Sequence, residues 1–349
     1  MAQEEWQQSL KQSVTSVKQL ADDFDFDQRQ LEAVAARYPM RISPYYLGLI
    51  EQVGDPIWKQ CVPDVRELDP SGMTDPLAEE DFSPTPAVIH RYPDRVIFLV
   101  SGSCASYCRF CTRKRKVGCT DMSLSFRELR AGIDYIAANA QIHDVIFSGG
   151  DPLLLPDSVL QDLLARIYAI PHVEIIRIGT RVPVTLPERI TERLCAMLKK
   201  FPPLYINTHF NHPRELTSQA TEACARLADA GIVLGNQTVL LRDVNDQPEI
   251  ISELFRGLLK MRVRPYYLHH MDLTRGTGHF RTSVKTGLQI MYSLRGPVSG
   301  LASPHYVIDL PNGKGKVPLI PQYVKRKGND LMIYAADGSV VEYSDIVDG

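Results

Sequence analysis

The chain has 349 residues, 44% hydrophobic and 23% charged, a composition that excludes a disordered, collagen-like or fibrous protein. Its 39 Lys and Arg nearly balance 41 Asp and Glu, for a formal charge of −2, so no global field draws it to nucleic acid or to an anionic membrane. The longest clean apolar run near any motif is Val96 to Val100, far short of the ~20 residues of a membrane helix. The opening MAQEEWQQSLKQ lacks the basic and apolar regions of a secretory signal, and a cytoplasmic location is expected.

Residues 1–90 read as helical and then irregular, with prolines at Pro63, Pro70, Pro76, Pro84 and Pro86 punctuating the connections. Over residues 91–281, short β-branched runs begin near Val96, Val145, Val173, Leu204, Ile232 and Tyr266, and most stretches between them carry apolar residues at helical spacing. Ser125 and Glu128 form a capping box for the first of these helices, and Pro156 suits the first turn of the next. Strand and helix units in succession imply a parallel sheet with helices outside. Polar, unusual residues follow nearly every strand: SGSCASYC, SGGDP, GTRVP, THFNHP, NQTVLL and HHMD. A doubly wound sheet gathers its site at one switch point, whereas a barrel draws on many strand ends, so the expected fold is α/β, a partial (β/α)6 TIM-like barrel. In residues 282–349, Val284, Leu288 and Met291 suggest a helix ended by Gly296, and LMIYAADGSVVEY reads as a hairpin turning at Asp337 and Gly338.

Seven cysteines make an odd set, and Cys104, Cys108 and Cys111 crowd together as CxxxCxxC behind the first of these strands. That is no disulfide framework. Three thiolates can hold three irons of a 4Fe-4S cluster and leave the fourth open to an exchangeable ligand. The plainer alternative, structural zinc, needs a fourth ligand. Cys119 is the nearby candidate for one, although it reads, like Cys61, Cys195 and Cys224, as a small buried hydrophobe. With Phe110 before the third cysteine, the motif resembles the radical S-adenosylmethionine superfamily, in which the open iron chelates the cofactor's methionyl group. Ser148, Gly149, Gly150 and Asp151 stand where that superfamily has its glycine-rich motif, and glycine there lets backbone approach the ligand.

Near the C-terminus, DLPNGKGK is no Walker A loop and by composition is a surface turn. From Met40 to Pro318, however, the chain resembles the lysine 2,3-aminomutase family through CxxxCxFCTRKR, FSGGDPL, RIGTR, NTHFNHP, NQTVLLR, DLTRGTGHFRTS and DLPNGKGK. The resemblance implies a pyridoxal phosphate aldimine on Lys316, with Lys314 as a competitor in the same loop. It implies an acidic pair, Asp272 and Asp309, for the far ammonium of L-lysine, and Arg113 for the substrate carboxylate. It places Arg91 and Arg95 on the cofactor phosphate, and His209 and Gln237 around S-adenosylmethionine. The run Arg113, Lys114, Arg115, Lys116 could otherwise suggest a polyanion site, but without wider basicity it reads as a solvated face.

By the same resemblance, reductive cleavage of S-adenosylmethionine by an external one-electron donor yields a radical that removes hydrogen from carbon 3 of lysine. The amino group then moves from carbon 2 to carbon 3. No cysteine follows Cys224, which resembles the short branch that makes (R)-β-lysine for attachment by a ligase to elongation factor P. Free-lysine catabolism or osmolyte synthesis, another amino acid, or a macromolecular substrate are the alternatives, and self-association is left open.

Overall fold

A computed structural model describes residues 5–118, 124–327, 330–335 and 337–344; Cys119 lies outside the described residues. Nine strands form one sheet in sequence order: β1 (Val88–Tyr92), β2 (Arg95–Ser101), β3 (Asp144–Gly149), β4 (Ile175–Gly179), β5 (Leu204–Thr208), β6 (Val233–Leu240), β7 (Arg264–His270), β8 (His305–Leu310) and β9 (Gly315–Pro318). From β2 to β8 every pairing is parallel, and β1 and β9 close the two edges antiparallel. A doubly wound sheet would reverse its order at a switch point. Here each crossover steps to the next strand, as in a barrel.

All six expected strands are present, each starting within two residues of its predicted position. Three strands were not expected in the sheet, among them β9, which lies in the stretch read from composition as a surface turn. The run at Tyr306 to Ile308 enters it as β8, a seventh parallel strand; no helix follows it, so counting strand and helix units passes over it. β1 pairs with β2 through a turn at Pro93 and Asp94, in a stretch whose prolines made it look irregular.

The helices follow their local chemistry. Ser125 caps Phe126–Ala138, its hydroxyl accepting the Glu128 N–H while the Glu128 carboxylate accepts from the Ser125 N–H at 2.7 Å. Pro156 is the N-cap of Asp157–Tyr168, one position before the expected first turn. Helix Pro248–Lys260 buries Ile251, Leu254, Phe255 and Leu258, a stripe at helical spacing. Helix Val284–Leu294 ends before Gly296, which has φ +95°. The expected tail hairpin gains a strand, becoming a separate antiparallel sheet of β10 (Val324–Lys327), β11 (Asp330–Tyr334) and β12 (Val340–Ser344).

The core lies between the sheet and its helices. On β2, Val96, Phe98 and Val100 are buried in one cluster with Leu129 and Ile136, while Arg95, Ile97 and Leu99 on the other face are only half-buried. β3, β4 and β6 repeat that alternation. Each large side chain packed on the helix side contributes about 1.5–3 kcal/mol. The inner face of these strands is only half-buried, unlike the filled interior usual for a TIM barrel.

Side chains draw the two edge strands together. The Tyr92 hydroxyl accepts the Lys316 backbone N–H at 2.9 Å, and Arg91 Nη2 donates to Asp309 Oδ1 at 3.2 Å. Among the described residues no ladder joins β1 to β9, and no helix is long and apolar enough to cross a membrane.

Candidate active site

The residues singled out from the sequence converge on the carboxyl ends of the parallel strands and on the seam between β1 and β9. The loop after β2 carries Cys104, Cys108 and Cys111, all free thiols. Burial pushes the Cys111 thiol up to about 11, with Cys108 adding to the effect. Burial, together with the Asp151 carboxylate, pushes Cys104 well up. Protonated, Cys104 and Cys111 are poor nucleophiles but suit a metal cluster, which displaces their protons and supplies the missing positive charge. Among the described residues no three His, Cys, Asp or Glu side chains converge on a single ion. A cluster, with each thiolate on its own iron, does not require that convergence, whereas mononuclear zinc does.

The end of β3 packs directly on this loop. A Cβ on Gly149, at φ +129°, would lie 2.2 Å from the Ser101 carbonyl oxygen, and one on Gly150 would lie 2.4 Å from that of Ser103. The two glycines therefore let β3 seat the cysteine loop by backbone contact, Gly150 N–H donating to Ser101 O at 2.5 Å and Asp151 N–H to Ser103 O at 2.7 Å. The buried Asp151 carboxylate accepts from Thr180 Oγ1 and from the Arg181 N–H, both at 2.7 Å, tying β3 to the loop after β4. Ser148 accepts from Arg113 Nη1 at 3.1 Å. Arg113 is steered by Glu79, which accepts from its Nε at 3.0 Å and faces its Nη2 at 2.8 Å.

The rest of the basic run is paired with acids of the N-terminal segment. Lys114 Nζ donates to buried Glu67 at 2.6 Å, as does Arg109 Nη2 at 2.5 Å. Arg115 meets Asp75 at 3.0 Å, and Lys116 meets Glu80 at 3.0 Å. These four cations thus fasten the cysteine loop under residues 67–80.

At the seam, Asp309 of β8 and Lys316 of β9 are register partners, and Lys316 Nζ donates to Asp309 Oδ2. Lys314 is exposed on the turn. Asp272 follows β7 and is pushed up to about 7 by burial and then by the Asp309 carboxylate, so the two acids share one electrostatic environment. Arg91 completes this group, and Arg95 stacks over the Tyr92 ring at 4.1 Å. His209 follows β5 and is held down to about 4 by burial and the Arg181 charge. Gln237 lies on the half-buried inner face of β6.

Four further residues were not found from the sequence. Glu79 orients Arg113, and Tyr92 anchors the Lys316 backbone. His269 Nδ1 stands 3.8 Å from Asp309 Oδ2, and Arg181 Nη1 donates to Cys108 Sγ at 2.9 Å. The GTR and HHMD strand ends were visible signals for two of them; nothing local marks Glu79 or Tyr92.

A parallel barrel with a three-cysteine loop behind its first parallel strand and glycines behind the second defines the radical S-adenosylmethionine class. The chain matches the Radical SAM superfamily over residues 98–254 and Lysine-2,3-aminomutase over residues 291–346. It is 45% identical to the L-lysine 2,3-aminomutase of Fusobacterium nucleatum, over 98% of this chain and 82% of that protein. It is 44% identical to the glutamate 2,3-aminomutase of Clostridioides difficile, over 97% and 82%, and 34% identical to the L-lysine 2,3-aminomutase of Escherichia coli, over 91% and 95%. The chain belongs to the lysine 2,3-aminomutase family and is an isomerase. Membership implies a 4Fe-4S cluster, S-adenosylmethionine and pyridoxal phosphate. The donor sets present fit these groups: soft thiols for iron, and an amine beside a guanidinium for an aldehyde that carries a phosphate.

Proposed function

We propose that this chain, in the cytoplasm, converts (S)-α-lysine to (R)-β-lysine, with an external one-electron donor, for attachment by a ligase to a lysine of elongation factor P. When bound, the cluster and S-adenosylmethionine supply radical chemistry, and pyridoxal phosphate supplies the conjugated carrier for the migrating nitrogen. Cys104, Cys108 and Cys111 hold the cluster. Ser148, Gly149, Gly150 and Asp151, together with His209 and Gln237, would hold S-adenosylmethionine. Lys316 anchors pyridoxal phosphate, and Arg91 and Arg95 face its phosphate.

The observation that carries the choice of lysine is the acidic pair at the ends of β7 and β8, with Asp309 buried and Asp272 half-buried. Asp309 already accepts a primary ammonium, that of Lys316, with Asp272 beside it. Once Lys316 is engaged by its cofactor, a substrate ammonium takes its place between two carboxylates. A glutamate side chain would meet the Asp309 carboxylate there, and that of Asp272 once ionised, which destabilises binding. The 44% identity to a glutamate enzyme leaves overall similarity unable to choose between the substrates, and the acidic pair supports lysine. Arg113, oriented by Glu79 and Ser148, is the cation for the substrate carboxylate, and the barrel wall keeps water from the reacting carbons.

The elongation factor P destination rests on the resemblance to the short branch. Presenting reconstituted enzyme with lysine, glutamate and arginine in turn tests the substrate: β-lysine alone is expected, and turnover of glutamate would overturn the reading. Supplying the product to the ligase and elongation factor P, with intact-mass detection, tests the destination; an unmodified factor would return the enzyme to free-lysine metabolism.

A further inference from the structure

We propose that Arg181 sets the reduction potential of the cluster by fixing a permanent positive charge on the Cys108 sulfur. The inference rests on the cluster reading of Cys104, Cys108 and Cys111. Arg181 follows β4, and its side chain is only 9% exposed. Nη1 donates to Cys108 Sγ at 2.9 Å. Nη2 donates to the Tyr46 hydroxyl at 2.9 Å, to Gln60 Oε1 at 2.6 Å and to Glu215 Oε1 at 2.8 Å. Nε donates to the His209 carbonyl at 3.2 Å. The guanidinium also lies against two rings, Tyr46 at 5.1 Å and Phe110 at 5.2 Å. Its position is therefore fixed by contacts that do not depend on the sulfur.

Reduction adds one electron to the cluster, taking it from 2+ to 1+, with no proton transferred; the electron comes from an external low-potential donor. The cluster with its thiolates becomes more negative by one charge. A cation hydrogen-bonded to a ligand sulfur stabilises that state, and the effect is larger in a buried site than in water. Glu215 opposes it. Its carboxylate is fully buried, bonds the opposite end of the guanidinium, and is itself held by the backbone N–H groups of Asn211 at 2.5 Å and His212 at 3.0 Å. Arg181 and Glu215 thus act on the potential with opposite signs.

The test is an EPR-monitored redox titration of the full chain, reconstituted anaerobically, as wild type, Arg181→Gln, Arg181→Lys and Glu215→Gln, with iron content measured on each. Arg181→Gln is expected to lower the ratio of reduced to oxidised cluster about tenfold at a fixed poise, which for a one-electron couple is about 59 mV. Arg181→Lys should recover part of that loss, and Glu215→Gln should move the potential the other way. An iron-replete Arg181→Gln with unchanged potential would reduce Arg181 to a packing residue. If Arg181→Gln takes up no iron, Glu215→Gln decides, and an unchanged or lowered potential there overturns the inference. Wild type that binds no cluster would overturn the underlying reading and this inference with it.

Discussion

Lys316 and Lys314 stand two residues apart, yet they differ in what surrounds them. Lys316 sits on β9 opposite Asp309 with its backbone held by Tyr92, whereas Lys314 is exposed on the turn. Lys316→Ala should abolish both lysine turnover and the borohydride-trapped protein–pyridoxal adduct, while Lys314→Ala keeps both. An adduct surviving in Lys316→Ala would reverse the assignment. Asp272 carries a pH dependence whose sign follows from its environment. With its carboxyl raised to about 7 in the substrate-free chain, the neutral form prevails below that pH and the ionised form above it. A substrate ammonium binds the ionised form, so lysine affinity should rise with pH up to about 7 and then level off, with proton uptake by the buffer on binding below that point. Asp272→Asn should flatten this profile and weaken binding about 10- to 100-fold, the range of a lost charge-assisted contact. Calorimetric titration of lysine in buffers of different ionisation enthalpy reads both effects, and a profile unchanged by the substitution would remove Asp272 from the ammonium site.

The elements are joined by contacts of two kinds, backbone docking and buried charge. The end of β3 seats the cysteine loop because Gly149 and Gly150 carry no Cβ. Gly149→Ala combines a positive φ with a 2.2 Å approach to the Ser101 carbonyl, so a loss of at least 1–3 kcal/mol is expected, with reduced iron uptake. Thermal unfolding and iron analysis together check it; a normal melting point would show that the loop yields easily. Glu67 lies buried between Arg109 and Lys114, and burial holds Lys114 down to about 8. Glu67→Ala strands two buried cations and should cost about 3–5 kcal/mol in urea unfolding, more than Glu67→Gln, which keeps an acceptor. Equal effects of the two substitutions would mean that the acceptor contributes little beyond the lost charge.

At the scale of the whole molecule, the barrel was legible because alternation and helical spacing are local properties. Val96, Phe98 and Val100 announce a strand that packs on helices, and Ser125 with Glu128 announces where a helix starts. The cysteine motif is equally local. The partners of those residues are not. Arg181 meets Tyr46 across 135 positions and Arg113 meets Glu79 across 34, and no spacing rule connects such pairs. The seam between β1 and β9 was hidden for the same reason, since it exists only when the sheet curls far enough to bring Tyr92 to Lys316. The half-burial of the inner face was not visible either, because a half-buried Ile97 or Leu99 has the same sequence pattern as a packed one.

The most direct test of the central claim is anaerobic incubation of the reconstituted chain with L-lysine, S-adenosylmethionine, pyridoxal phosphate and dithionite, followed by chiral chromatography, with Lys316→Ala alongside. The account predicts (R)-β-lysine from wild type and none from Lys316→Ala. Cleavage of S-adenosylmethionine by wild type without any β-lysine would contradict it, leaving the radical machinery in place but removing lysine as the substrate.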